Sequence, residues 1–343
     1  MEDPSAATAR AGSSGAAPSP RPPRGKIVAA APAPAALVEL AARLPSNLYL
    51  GTSSWSYPGW QGLVYDGQYS ESLLARKGLR AYARHPLLRA AGIDRGFYGP
   101  IPLADYLAYA AQVPEDFRFL IKAPASVCDG WLRGPDGAGR VENAAFLNAE
   151  MAIRDLVVPA TGGLGRRCGP LLFQLSPLGA LAQDAGAFLA RLDAFLAALP
   201  PLDPTLTPFA CYAVELRDPA LLTPRYIKLL RARGVRFCLS ARDRLPPVAR
   251  QAGAQALMDA DAPGPLVLRW MLYQGRSYDF AESAYAPFDR IVDEDVATRE
   301  AIATLVVRTL KAGQPAYVIV SNKAEGSAPL TCWRLAEAIA ARL

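Results

Sequence analysis

The chain has one histidine and no paired cysteines, and each shortage excludes a class of site. His85 is the single histidine among 343 residues, so a histidine-rich metal centre lacks its ligands. A Ser-His-Asp triad would have to use His85, whose placement before the second strand disfavours it. The five cysteines are Cys128, Cys168, Cys211, Cys238 and Cys332. None forms a C-x-x-C motif, which predicts buried reduced thiols in a cytoplasmic protein. We expect neither a metal nor a cofactor, with a weak all-oxygen metal site at Asp94, Glu215 and Asp243 as the alternative.

Long apolar runs and phosphate-binding motifs are also missing. No run reaches the roughly 18 uninterrupted apolar residues of a membrane span, so no membrane partner is expected. No strand-like run is followed by G-x-G-x-x-G or G-x-x-x-x-G-K-[ST]. The net charge of +6 is not gathered into a dense basic stripe, which argues against nucleic acid as the main partner.

The first 45 residues differ in composition from the rest. Residues 1–36 are mostly Ala, Pro, Gly and Ser, with too few bulky apolar side chains to offset chain entropy. We predict a disordered tail over 1–45 and one folded domain over 46–343. An organelle transit peptide is the alternative for the tail, and Glu2 and Asp3 argue against it.

Within that domain, short apolar runs alternate with amphipathic helical stretches. Strands are predicted at 48–52, 92–98, 117–122, 170–175, 211–216, 235–240, 265–271 and 316–321. Helices are predicted at 103–111, 185–199, 223–233, 295–312 and 330–343. Eight strand–helix repeats fit a (β/α)8 TIM barrel of about 250 residues. A doubly wound open sheet is the alternative, but its nucleotide-binding motifs are absent.

In a barrel of this kind the carboxyl ends of the strands carry function. The polar side chains near those ends are Lys122, Gln174, Glu215, Arg217, Arg269 and Asn322. Glu215 is either a general base or part of a structural ion pair. Lys122 either binds an anion, which we favour, or forms a Schiff base if burial lowers its pKa.

An aromatic loop follows the first strand. Trp55, Tyr57 and Trp60 are interleaved there with Ser53, Ser54 and Ser56. The rings are suited to stacking on a sugar or a base, or to forming a hydrophobic lid over the barrel.

Several motifs together resemble the DUF72 family (YecE-like). They are Gly51-Thr52-Ser53-Ser54-Trp55, Phe97-Tyr98, Lys122-Ala123-Pro124, Leu171-Leu172-Phe173-Gln174-Leu175, Val214-Glu215-Leu216-Arg217, and Asn322 followed by Gly326 and Ala328. The resemblance runs from about residue 48 to 343. It implies a TIM barrel related to sugar-isomerase-like barrels, adds Tyr98 to the candidate contacts, and names no reaction.

The chain also departs from the family pattern. A glutamate is usual where this chain has Gly92, with Asp94 nearby, and histidines are frequent where it has Asp129, Asp218 and Met271. A family aspartate falls near Ser240. His85 is expected on a helix surface. Altered or lost chemistry would follow from these changes.

The predicted function is a metal-independent enzyme acting on a small polar or anionic, sugar-like molecule. An isomerase-like, lyase or hydrolase reaction is compatible with the site. Glu215 and Lys122 are the catalytic candidates. The substrate contacts are expected from Trp55, Tyr57, Trp60, Tyr98, Gln174, Arg217, Arg269 and Asn322. The alternatives are a non-catalytic binding protein that uses the same pocket and, third, a nucleic-acid-binding protein.

Overall fold

Eight parallel strands close into a barrel in the computed structural model, which describes residues 27–133 and 139–343. The barrel strands are β1 Leu48–Thr52, β2 Ala90–Ile93, β3 Arg118–Lys122, β6 Cys168–Gln174, β7 Cys211–Glu215, β8 Arg236–Ala241, β9 Leu266–Trp270 and β10 Ala316–Val320. Around the barrel they follow the order β1-β10-β9-β8-β7-β6-β3-β2. A separate antiparallel hairpin pairs β4 Trp131–Arg133 with β5 Gly139–Glu142. The predicted TIM-barrel fold is confirmed.

Helices surround the strands. They are α1 Ala35–Ala42, α2 Glu71–Lys77, α3 Leu79–Tyr82, α4 Leu103–Ala110, α5 Ala125–Cys128, α6 Ala149–Ala152, α7 Val158–Leu164, α8 Ala185–Ala198, α9 Pro224–Ala232, α10 Val248–Met258, α11 Tyr278–Tyr285, α12 Val296–Lys311 and α13 Ala328–Ala340. Several begin at a side-chain cap: Asp184, Thr223 and Asp295 each accept the N–H of the residue three positions later.

The two faces of each strand pack into different clusters of buried side chains. Side chains that point into the barrel, among them Leu120, Leu172 and Val267, form a cluster of their own. Those that point outward, such as Leu50 and Phe119, join the large core beneath the helices. Because both faces are buried, the strands are nearly continuous apolar runs rather than alternating ones.

Aromatic rings close the amino-terminal end of the barrel. The rings of Tyr49 and Tyr317 stack with centroids 5.1 Å apart. The guanidinium of Arg118 lies 3.8 Å from the centroid of Phe209, whose carbonyl accepts the Tyr317 hydroxyl at 2.7 Å. This end of the barrel is therefore filled, and a site must lie at the other end.

The second strand differs from its predicted position of 92–98. β2 ends at Ile93, and a 3-10 turn covers Asp94–Tyr98. This turn passes close to the end of β3, since a Cβ at Gly96 would lie 2.8 Å from the Lys122 carbonyl. The glycine permits that approach, so the chain folds over the barrel opening where the apolar pattern suggested more strand.

Part of the predicted tail is folded. Residues 27–45 include α1, with Leu37 and Leu40 buried, and Ala30 forms a bridge with Tyr65. Prediction of disorder over 27–45 was wrong because a few apolar side chains, spaced for one helix face, are enough to bury it against α13. The prediction for 1–26 concerns residues outside the described ones.

Candidate functional site

Four polar side chains point into the barrel at its carboxyl end. Lys122, Gln174, Glu215 and Arg269 occupy the last or next-to-last positions of β3, β6, β7 and β9. Gln174 and Glu215 are register partners on neighbouring strands. The strand period of two places all four on the inner face, in the layer above the apolar cluster.

Arg269 is the centre of this layer. Its Nη1 donates to Glu215 Oε2 at 2.8 Å and to Gln174 Oε1 at 2.8 Å, while its Nη2 lies 3.2 Å from Asp94 Oδ2. Burial lowers the pKa of the guanidinium, but Glu215 and Asp94 outweigh burial and the pKa is raised. Arg269 is thus a fixed cation that ties three strands together.

Glu215 lies between two arginines. Its side chain is 0% exposed, and Oε1 is 2.9 Å from Arg217 Nε while Oε2 pairs with Arg269. Arg217 Nη2 also donates to Gln174 Oε1 at 2.6 Å. These contacts favour the structural interpretation of Glu215 over the general base, because both oxygens face guanidiniums and neither faces solvent.

Lys122 is the exception in the layer. It is 9% exposed, and no carboxylate of the described residues lies within 4.0 Å of its Nζ. The Nζ lies 3.8 Å from the centroid of Phe97 in the turn above. Burial lowers the pKa of Lys122; Asp94 acts against this shift and Arg269 adds to it.

A second lysine lies near the opening in a different setting. Lys323 pairs with Glu282 of α11, and its Nζ lies 4.2 Å from the Tyr278 ring centroid. Burial lowers its pKa, but Glu282 and Tyr57 outweigh burial and the pKa is raised. Tyr57 itself is half-buried against Phe288, with centroids 5.7 Å apart.

The aromatic candidates do not form one surface. Trp55 packs edge-on against Tyr109, 5.3 Å between centroids. Trp60 is 0% exposed and donates its indole N–H to Asn322 Oδ1 at 3.2 Å. Tyr98, by contrast, is 89% exposed. Trp60 and Asn322 are thus packed inside the fold, whereas Trp55 is buried but lines a cavity between this loop and α4, and Tyr98 is an exposed ring at the opening.

A cavity of about 420 Å³ lies beside the charged layer, between the aromatic loop and α4. Its lining includes Ser53, Ser54, Ser56, Asp94, Arg95 and Asp105. Arg95 pairs with Asp105 at one side. The hydroxyl of Ser53 accepts and donates no hydrogen bond within the described part of the chain, although the residue is buried. The cavity therefore presents hydroxyl groups and one carboxylate that also touches Arg269.

That carboxylate is Asp94, which was not among the predicted site residues. Its side chain is 33% exposed, so it is the accessible acid of the layer. The sequence does contain a signal for Asp94. It follows Gly92 by two positions, and residues two apart along a strand point to the same face. The predicted second strand ran on to residue 98, whereas the chain leaves the barrel after Ile93, just before Asp94.

The positions that depart from the family pattern have local roles. Asp129 accepts the Trp131 N–H at 3.1 Å, and Asp218 accepts the Leu178 N–H at 2.9 Å. Gly92 lines the cavity, and a Cβ there would lie 2.9 Å from the Ser53 carbonyl. Met271 is half-buried just after β9. Half-buried His85 follows α3, and burial lowers its pKa to about 4.

The described residues contain no group of three or more His, Cys, Asp and Glu side chains placed to hold a metal ion. In the same part of the chain, no helix combines the length and apolar character needed to cross a bilayer.

The family model described as "Protein of unknown function DUF72" matches residues 49–343. A DUF72 family protein from Enterococcus faecalis V583 is similar in structure, with a TM-score of 0.53 and 18% identity over 85% of this chain and 95% of that one. A DUF72 family protein from Thermotoga maritima MSB8 gives a TM-score of 0.53 and 18% identity over 84% and 98%. No curated protein matches the sequence. At this identity the two structures support the fold alone.

Proposed function

We propose that this chain, which belongs to the DUF72 family of proteins of unknown function, is an enzyme that acts on a small, hydroxylated, sugar-like molecule at the carboxyl end of its barrel. The observation that carries the proposal is the cavity beside Asp94. Its volume of about 420 Å³ is within the range of small-molecule sites, and seryl hydroxyls line it next to a carboxylate. Hydroxyl groups of a substrate find both donors and acceptors there.

An anionic group on the substrate would be held at the rim. Arg76 lines the cavity, is exposed, and has no ion-pair partner within residues 27–133 and 139–343. In this proposal Gln174, Arg217 and Arg269 fix the floor of the site rather than contact the ligand, because their polar atoms already bind one another and Glu215.

Asp94 takes the proton-transfer role that the sequence assigned to Glu215. A general acid or base must reach the substrate, and Asp94 is partly exposed on the cavity wall whereas Glu215 is enclosed. Its contact with Arg269 holds the carboxyl group in one orientation.

The experiment is a binding screen against the full chain by thermal shift and isothermal titration. The panel contains neutral sugars, sugar phosphates and sugar acids. Ala108→Trp fills the cavity from exposed α4, and Ala190→Trp places the same side chain on exposed α8 as a control. We expect Ala108→Trp to abolish binding and Ala190→Trp to retain it. Equal binding by both variants would place the ligand elsewhere and overturn the proposal.

Asp94→Asn separates the enzyme from the alternative of a non-catalytic binding protein. The amide keeps the shape of the side chain but cannot accept a proton. An enzyme loses turnover of the bound ligand and keeps its affinity within a few-fold; a binding protein shows no turnover in either form. Oligonucleotide affinity that falls steeply with salt would instead favour the nucleic-acid hypothesis. The five free thiols favour a cytoplasmic location within the same proposal.

A further inference from the structure

Lys122 is a buried amine that forms no ion pair with the described residues, in a layer where each of the other four charged side chains has an oppositely charged partner. Asp94 and Glu215 supply two negative charges, and Arg217 and Arg269 supply two positive ones through ion pairs of 2.8 to 3.2 Å. Lys122 is a fifth group, 9% exposed, that no carboxylate in the described residues approaches within 4.0 Å. An unpaired buried ammonium is costly, so the neutral amine is the less expensive form.

The surroundings of this amine leave its nitrogen without a carboxylate or hydrogen-bond partner in the described residues, as a nucleophile requires, although the face of the Phe97 ring beside it favours the ammonium form. Its nitrogen lies beneath the half-buried ring of Phe97, at 3.8 Å, and makes no hydrogen bond within the described part of the chain. Lys323, near the same opening, is equally buried but is committed to Glu282. Asp94, which contacts both the cavity and Arg269, stands on the route between the cavity and this layer.

We propose that Lys122 forms an imine with the carbonyl carbon of an aldehyde or ketone substrate that enters by the cavity. This inference rests on the proposed function and narrows its substrate to a hydroxylated carbonyl compound, such as an open-chain sugar. The Phe97 ring lies against the amine nitrogen, so it must move aside for the carbonyl carbon to reach it.

The step balances without a further reactant. The neutral amine nitrogen attacks the carbonyl carbon and loses its two protons, and the oxygen takes up two protons and leaves as water. One C=O bond is replaced by one C=N bond. Asp94 is the nearest accessible acid of the layer and is placed to pass a proton to the departing oxygen.

The test traps the imine by reduction. The full chain is incubated with glycolaldehyde or glyceraldehyde and sodium cyanoborohydride, whose hydride reduces C=N to a stable amine. Peptide mapping by mass spectrometry then locates the adduct, which adds the mass of the carbonyl compound less one oxygen. We expect at least a ten-fold excess of adduct on Lys122 over Lys323, and over the exposed Lys77, Lys228 and Lys311.

Adduct spread evenly over the exposed lysines, or equal on Lys122 and Lys323, would overturn the inference. Lys122→Met must lose the preferred adduct, and its unfolding transition shows whether it is folded. This test can fail separately from the proposed function. If Ala108→Trp abolishes sugar binding but no adduct is trapped on Lys122, the cavity remains the binding site and the imine is refuted. Trapping on Lys122 without any sugar binding would support the imine and refute the sugar-binding cavity.

Discussion

Trp60 donates its indole N–H to Asn322 Oδ1 at 3.2 Å, which joins the loop after the first strand to the loop after the last. The same oxygen accepts the backbone N–H of Ala328, the first residue of α13, at 2.8 Å. Both side chains are buried. Two residues that resemble ligand contacts in the sequence therefore close the seam of the barrel.

Asn322→Leu is expected to destabilise the fold by about 2–4 kcal/mol, because two buried N–H groups lose their acceptor. Trp60→Phe removes only one partner, and its cost combines that hydrogen bond with the smaller ring. Tyr98→Ala, at an exposed ring, is the control and should stay within about 0.5 kcal/mol. Urea unfolding measures all three. An unchanged free energy of unfolding for Asn322→Leu would contradict the structural role.

Glu215→Gln is expected to cost about 3–5 kcal/mol, since Arg217 and Arg269 would face each other without their shared counter-charge. Asp94→Asn should cost about 1 kcal/mol or less, because its carboxyl group is partly exposed to water. The comparison by chemical denaturation tells whether Glu215 is mainly structural. Equal costs for the two variants would argue against that conclusion.

Lys122→Met is expected to stabilise the protein at pH 7, since an apolar side chain of similar length replaces an unpaired buried amine. The pKa of Lys122 is lowered in the fold, so the unfolded chain binds its proton more tightly. Wild-type stability therefore rises relative to Lys122→Met as the pH rises from that lowered pKa toward 10.5. Asp94, Glu215, Arg269 and the Phe97 ring face this amine and are unchanged in both proteins.

Unfolding curves measured at several pH values test this expectation. Lys323→Met is the matched control. It breaks the ion pair with Glu282, so it is expected to lower the free energy of unfolding rather than raise it. If the difference in the free energy of unfolding between Lys122→Met and wild type widens as the pH rises, the lowered pKa of Lys122 is refuted.

His85 provides a pH probe without interference from other imidazoles. Its pKa of about 4 lies below the ordinary value of 6.5, so its contribution to stability is complete above pH 6.5 and is lost as the pH falls toward 4. Wild type should lose about 1–2 kcal/mol more than His85→Gln between pH 7 and pH 5. Carboxyl groups titrate in both proteins and cancel in the difference.

A direct measurement is available by NMR, in which the single imidazole should titrate well below pH 6. A midpoint near 6.5 would show that this side chain is solvated in the folded protein.

The barrel was predictable from sequence because its strands are buried on both faces and stand out as apolar runs between helices. Lys122, Glu215 and Arg269 were found for the same reason: a charge inside an apolar run is conspicuous. Asp94 was missed because it lies after the strand, in a turn whose apolar Phe97 and Tyr98 imitate a continuation. Burial of Trp60 and Asn322 depends on contacts between residues 262 positions apart, which no local pattern contains.

The stacked rings of Tyr49 and Tyr317, with Arg118 over Phe209, close the amino-terminal end of a barrel whose interior is filled by apolar side chains. A ligand of the charged layer must therefore arrive and leave at the carboxyl end. For an enzyme of the proposed kind, a product that still fits the cavity would compete with the substrate there, and its inhibition would be competitive.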